Sequence, residues 1–397
     1  MFKQIQYYRF KNSISSLVIG NSLGISVAVA SVTISALAAQ SIGWHGTRAT
    51  LPYGGQFLFS LLVTLLAPSL MDRFGRRIVF QVAVFLGLIG GVCCGLGIEI
   101  SQPLYLLVGH CLIGVALAAV NLFRFAALDI AARNKSAESM SLVVFGGSVA
   151  AFLGPSLVRY SSTLFPQFKD FSAIYLGMSL FCGLIGAILT KMPAGSGLQR
   201  HSAVPWSRYL NEGLNVRSIG GIFAAAVGYG VMNLLMVSGS ISMSKAGFLQ
   251  QHITTAIQLH VLAMFVPSIF IGRIMARYSP ELVVMTGAII SLLSMVTATF
   301  TLDVTINYFV SLALAGLAWN MLYVGGSYIA TTSSNPSLKY NTQSLSEFGI
   351  GVCAVLGAFL PGVVMSKLTW EEMNSILILP ITAAHLFGLM LIYRGKR

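Results

Sequence analysis

Twelve apolar runs dominate this chain, each about 18 to 28 residues long, and no water-soluble architecture can bury all of them. They lie at roughly 14–39, 50–71, 78–98, 103–129, 139–158, 173–190, 218–242, 255–275, 281–301, 305–332, 344–366 and 373–393. A helix rising 1.5 Å per residue crosses the hydrocarbon of a bilayer in about 20 residues, so every run is long enough to span. Charged residues make up only 9% of the sequence, against about 25% in soluble domains. A transmembrane β-barrel would alternate polar and apolar positions instead, and the runs show no alternation. The expectation is an all-α membrane protein of twelve helices.

The connecting segments give the organisation. The longest hydrophilic break, 191–217, holds Lys191, Arg200, His201, Arg208, Glu212 and Arg217 with Gly195 and Gly197, and it divides the spans six and six. We therefore expect an N-terminal bundle over 1–190, a cytoplasmic linker over 191–217 and a C-terminal bundle over 218–397. Of 24 Lys and Arg residues, Arg48, Arg159, Lys169, Lys245 and Lys367 fall on one face, Arg124 lies within a span, and all the others fall on the opposite face. By the positive-inside rule the rich face, with both termini, is cytoplasmic. The formal charge of +13 is thus accounted for by orientation, without nucleic acid. The basic start runs into a first span too long for a cleaved signal peptide and reads as a retained helix. Cys93, Cys94, Cys111, Cys182 and Cys353 all sit in apolar runs, as small packing residues rather than a disulfide framework or metal site.

Between the second and third spans stands a knot of charge, Asp72-Arg73-Phe74-Gly75-Arg76-Arg77, with Gly75 supplying the freedom that so short a turn requires. Shifted by 204 residues, Pro68 to Gly75 overlies Gly272 to Ser279, where Arg277 and Tyr278 keep the arginine and the aromatic while the acid is lost. This loop and the degenerate six-plus-six repeat resemble the major facilitator superfamily of transporters, in which substrate binds between two halves. In the fourth span Gly114, Asp129 and Arg133 fit the family's pattern, with His110 where an arginine is common. Gly154-Pro155 resembles the core of the family's antiporter motif. The stretches Gly316 to Gly326 and Gln343 to Phe348 look like a bacterial subgroup of the same superfamily.

The resemblance implies a cytoplasmic gate formed by Asp72, Arg73, Gly75, Arg76, Arg77, Asp129, Arg133 and Arg277. In it Asp72 meets the positive end of a helix and an arginine pairs with Asp129. It also implies a cavity lined by the first, fourth, seventh and tenth spans. On that analogy Asn21, Asn121, Tyr229, Asn233, Trp319, Asn320 and Tyr323 surround the substrate, with Gln56 and His260 from neighbouring spans. Gly154 and Pro155 are assigned to helix packing. Arg124 either snorkels to the interface or binds an anionic group, with Asp129 its nearest partner in sequence. No acid lies near the middle of any span, so His110 and His260 are the groups left to carry protons. For each amide and histidine the competing reading is an ordinary interhelical hydrogen bond.

An uncharged, aromatic cavity of this kind fits a small organic solute better than a hard metal ion. The expected function is secondary active transport by alternating access across a bacterial plasma membrane, by a monomer in contact with lipid, with proton-coupled efflux favoured. An uptake facilitator or symporter for a metabolite or metal chelate is the alternative within transport, and a non-transporting sensor is the alternative outside it. The sequence has no HExxH, CxxC, nucleotide-binding loop or paired carboxylates, so neither an enzyme nor a cofactor is expected.

Overall fold

A computed structural model describes residues 2–45, 48–49, 51–192, 204–210, 215–300, 304–365 and 367–395. Most of the expected linker, including Arg200, His201 and Glu212, lies outside the described residues. The described chain is helical and divides into two compact units, 1–203 and 204–397.

In the first unit α1 runs Phe2–Ser41, α2 Leu51–Phe74 and α3 Arg76–Glu99. The fourth span is interrupted at Leu122 and consists of α4, Pro103–Asn121, and α5, Phe123–Ile130. The fifth is α6, Ser136–Phe145, and α7, Ala150–Leu164, joined by a 3-10 turn at Gly146–Val149; α8 spans Asp170–Leu189. That turn falls where Ser22 Oγ of α1 donates to the Gly146 carbonyl at 2.7 Å, and a Cβ on Gly146 would lie 2.6 Å from the Val18 carbonyl oxygen. The two helices therefore touch backbone to backbone, a contact that small residues make accessible in lipid.

In the second unit a short turn α9, Trp206–Arg208, precedes α10, Val216–Lys245. Then α11, Gln250–Phe265, and α12, Ser268–Arg277, form one span broken at Pro267, whose ring removes a helical hydrogen bond. The unit closes with α13, Pro280–Phe300, α14, Val304–Ser333, α15, Lys339–Val364, and α16, Trp370–Arg394. The start of α16 carries a capping box, Thr369 Oγ1 accepting from Glu372 N–H and the Glu372 carboxylate accepting from Thr369 N–H.

Among the described residues eleven spans are long and apolar enough to cross a membrane. The twelfth expected span corresponds to α15. Its first two turns are polar yet buried: Asn341, Thr342, Gln343, Ser344, Ser346 and Glu347 are all shielded. Tyr209, next to α9, donates to Thr342 Oγ1 at 2.9 Å, and Asn341 Nδ2 donates to the Val204 carbonyl, so the segment ahead of α10 lies on that polar end.

Candidate functional site

The charge knot folds at a sharp corner. Gly75 has φ 80° and ψ 153°, a region closed to residues with a Cβ, and it turns α2 into α3 with no intervening loop. The turn delivers Arg76 to Asp129 near the end of α5, with Nη2 2.6 Å from Oδ2 and both side chains nearly sealed, 1% and 8% exposed. Arg73 instead lies over the Phe74 ring at 5.2 Å, and Arg77 Nη1 donates to the Met192 carbonyl at 3.2 Å. Asp72 is half-buried in the last turn of α2. Arg133 opens a 3-10 turn, and its side chain lies outside the described residues.

Arg124, for which snorkelling and anion binding are the alternatives, donates through Nη1 to the Asn121 carbonyl at 2.9 Å. Its guanidinium sits 4.4 Å above the Phe125 ring. Asn121 thereby ends α4 with its own carbonyl engaged. In the second unit Arg277 lies 5.5 Å over Tyr278, repeating the Arg73–Phe74 stack of the first.

A second charge pair, not anticipated from the sequence, joins Arg217 at the start of α10 to Glu281 in the first turn of α13 at 2.5 Å. Glu281 stands 204 residues after Arg77, so the second unit carries an acid where the first carries a base. A linear motif search misses this exchange, because the partner moves to a different helix.

His110 is fully buried at a point where four helices of the first unit meet. Its Nδ1 lies 2.9 Å from Gln56 Oε1, which also accepts from Ser31 Oγ at 2.6 Å, and its Nε2 lies 2.7 Å from the Tyr175 hydroxyl. With Gln56 Oε1 an acceptor, Nδ1 carries the proton and Nε2 accepts from Tyr175, a network complete for a neutral ring. Ser31 and Tyr175 were not among the expected site residues. They occur in apolar surroundings with no local pattern, and only the fold reveals them. Close by, a Cβ on Gly114 would fall 2.1 Å from the Gln56 carbonyl oxygen, so α2 and α4 cross here at backbone contact.

The expected amides also tie helices together. Asn21 Nδ2 donates to the Val143 carbonyl, linking α1 to α6, and Asn233 Nδ2 to the Ala354 carbonyl, linking α10 to α15, each at 2.9 Å. Asn320 Nδ2 donates to the Met264 carbonyl and Ser268 Oγ, joining α14 to both parts of the broken span. His260 Nδ1 donates to the Leu312 carbonyl at 2.7 Å on the same seam. A Cβ on Gly154 would fall 2.7 Å from Val29 Cγ1, which places it in the α1–α7 contact with Pro155 beside it in α7.

Within the second unit the expected aromatic residues converge. Trp319 and Tyr323, one helical turn apart on α14, stack with centroids 4.5 Å apart and planes within 17°. Tyr229 of α10 meets both edge-on, at 5.6 and 5.9 Å, and Phe265 of α11 meets Trp319 at 5.4 Å. Trp319 is 3% exposed and Asn320 fully buried, yet Trp319 Nε1–H, Asn320 Oδ1 and His260 Nε2 have no hydrogen-bond partner among the described residues. Phe265 was not anticipated, since one phenylalanine among many in apolar runs carries no signal. No group of three or more His, Cys, Asp or Glu able to hold a metal occurs among the described residues.

No family model matches the chain. It is 28% identical to the riboflavin transporter RfnT of Brucella anthropi, with 97% of each chain covered. It is 22% identical to YddS of Bacillus subtilis, an uncharacterized MFS-type transporter, over 96% of this chain and 91% of that one. Among solved structures it is similar to the Escherichia coli fucose:proton symporter FucP, at 13% identity with TM-score 0.76, covering 97% and 99% of the two chains. The proton:xylose symporter XylE gives 14% identity and TM-score 0.75, covering 98% and 96%.

Proposed function

Since this chain belongs to the major facilitator superfamily and is a membrane transporter rather than an enzyme, we propose that its cargo is a planar heteroaromatic solute of the riboflavin class. The observation that carries the reading is the cluster of Tyr229, Phe265, Trp319 and Tyr323 with its unpartnered indole N–H. Aromatic faces bind flat π-systems by stacking and edge contacts, worth about 0.5–1.5 kcal/mol per pair beyond burial. A buried donor without a partner costs about 1–3 kcal/mol, which a ligand carbonyl or ring nitrogen recovers on binding. The similarity to a riboflavin transporter supports the same class.

The movement is by alternating access. The buried Arg76–Asp129 pair, with Asp72, Arg73, Gly75, Arg77, Arg133 and Arg277, is assigned to the cytoplasmic gate. The protein is placed as a monomer in a bacterial plasma membrane with both termini cytoplasmic. A second reading couples the movement to protons, as in the efflux expectation. One observation favours it: His260 is fully buried with no partner for Nε2 among the described residues, whereas both nitrogens of His110 are engaged. In this reading His260, rather than His110, takes up the proton.

The test is titration of purified protein with riboflavin, followed by quenching of flavin fluorescence, for the parent, Trp319→Phe and Trp319→Ala. Saturable binding is expected, weakened several-fold by Trp319→Phe, which removes the N–H, and more than ten-fold by Trp319→Ala, which removes the ring as well. Binding unaffected by Trp319→Ala contradicts the assignment.

A further inference from the structure

A groove of 390 Å³ lies between α3 and α8, and none of the residues lining it is assigned to transport. Its wall on α3 is formed by Gln81, Phe85 and Leu88, and its wall on α8 by Gly183 and Gly186. The groove exists because α8 presents glycines there: a Cβ on Gly183 would already press within 3.2 Å of Leu88 Cδ1. It opens outward, Phe85 being 58% and Val82 53% exposed. Both helices are apolar enough to span a membrane, so what fills the groove is lipid.

Two further observations select the kind of lipid. Arg77, Gln81, Phe85 and Leu88 follow one another at spacings of four, four and three residues, so all four occupy one stripe of α3, with the guanidinium at the end of the groove. There Arg77 is anchored to the Met192 carbonyl just beyond α8, beside exposed Lys191. Neither Arg77 nor Lys191 forms an ion pair among the described residues. One turn deeper, the Gln81 amide has no hydrogen-bond partner among the described residues. A side-chain amide facing hydrocarbon gains from such a partner.

We infer that this groove is a binding site for an acidic phospholipid. One acyl chain lies along Phe85, Leu88 and the two glycines, the ester carbonyls accept from the Gln81 amide, and the phosphate meets Arg77 and Lys191. A zwitterionic headgroup would bring its own cation against those two. The site shares Arg77 with the proposed cytoplasmic gate but does not depend on the identity of the cargo.

The experiment is native mass spectrometry of the full chain released from micelles containing equal amounts of phosphatidylglycerol and phosphatidylcholine. The parent is expected to retain one phosphatidylglycerol in preference to phosphatidylcholine. Lys191→Gln, an exposed change that leaves packing untouched, and Arg77→Gln should each reduce that preference about five-fold, the fold-change expected for one cation at a lipid surface. Gly183→Leu, which fills the groove, should abolish retention of the tight lipid. Equal retention of the two lipids by the parent, or a preference that survives Gly183→Leu, overturns the inference.

Discussion

Replacing Asp129 by Asn leaves Arg76 buried and charged with its counter-ion gone. At 2.6 Å the pair's attraction is about 6 kcal/mol at an effective dielectric of about 20. The desolvation of two nearly sealed ions opposes this at several kcal/mol each, so the pair as a whole contributes little net stability. Breaking it is another matter, because the desolvation of Arg76 remains while the attraction is lost, a loss of about 3–5 kcal/mol. For a cooperative unit of about 200 residues this corresponds to a fall in melting temperature of roughly 6–20 °C. The assay is thermal unfolding of purified protein in detergent, at one scan rate. The double variant Arg76→Met/Asp129→Leu removes both charges and should return to within a few degrees of the parent. A double variant as unstable as Asp129→Asn would refute the reasoning, since the instability would then come from lost packing and not from a stranded charge. So would an Asp129→Asn protein that melts with the parent.

Other consequences follow from the same geometry. Gly114→Ala places a methyl group 2.1 Å from the Gln56 carbonyl oxygen, and since backbone cannot yield cheaply it should cost about 1–3 kcal/mol, seen as a lower melting temperature. Glu281→Gln should destabilise less than Asp129→Asn in the same assay, because Arg217 is 20% exposed and regains water. His110→Ala strands the Tyr175 hydroxyl, costing about 1–3 kcal/mol, and leaves Gln56 Oε1 with Ser31 alone, while His110→Gln, able to bond both, should recover part of the loss. Tyr209→Phe removes one hydrogen bond to Thr342 and should lower stability by about 1 kcal/mol; no change would show that the segment ahead of α10 does not depend on that contact.

Much of the fold was legible in the sequence because the bilayer imposes a length and a polarity on every span. The runs at 14–39 through 373–393 needed only that constraint. The last turns of α2 and α12 were equally plain, since the Arg73–Phe74 and Arg277–Tyr278 pairs repeat in sequence and in geometry. The polar start of α15 was harder to read: Lys339 to Glu347 looks like the approach to a helix, and its shielding depends on Val204 and Tyr209, more than 130 residues away in sequence. The interruption at Gly146 was not legible either, because it arises where the backbones of α1 and the fifth span touch.

Within the site, Trp319 and Tyr323 announce a shared face by their spacing, but only the fold adds Tyr229 and Phe265. Likewise Gln56 and His110 stood out as polar residues in apolar runs, while Ser31 and Tyr175, which complete their network, did not. The Arg217–Glu281 pair was hidden because the second half exchanged base for acid, and a repeat search looks for identity.

The most direct test of the account is the initial rate of riboflavin movement across the membrane of proteoliposomes containing only this protein, read by flavin fluorescence, with Trp319→Ala alongside. The account predicts saturable flux in the parent, competed by other planar heteroaromatics but not by sugars, and a rate lowered at least ten-fold in Trp319→Ala. Flux no faster than in empty liposomes, or flux indifferent to loss of the indole, would contradict the assignment of the aromatic cluster to a planar heteroaromatic cargo.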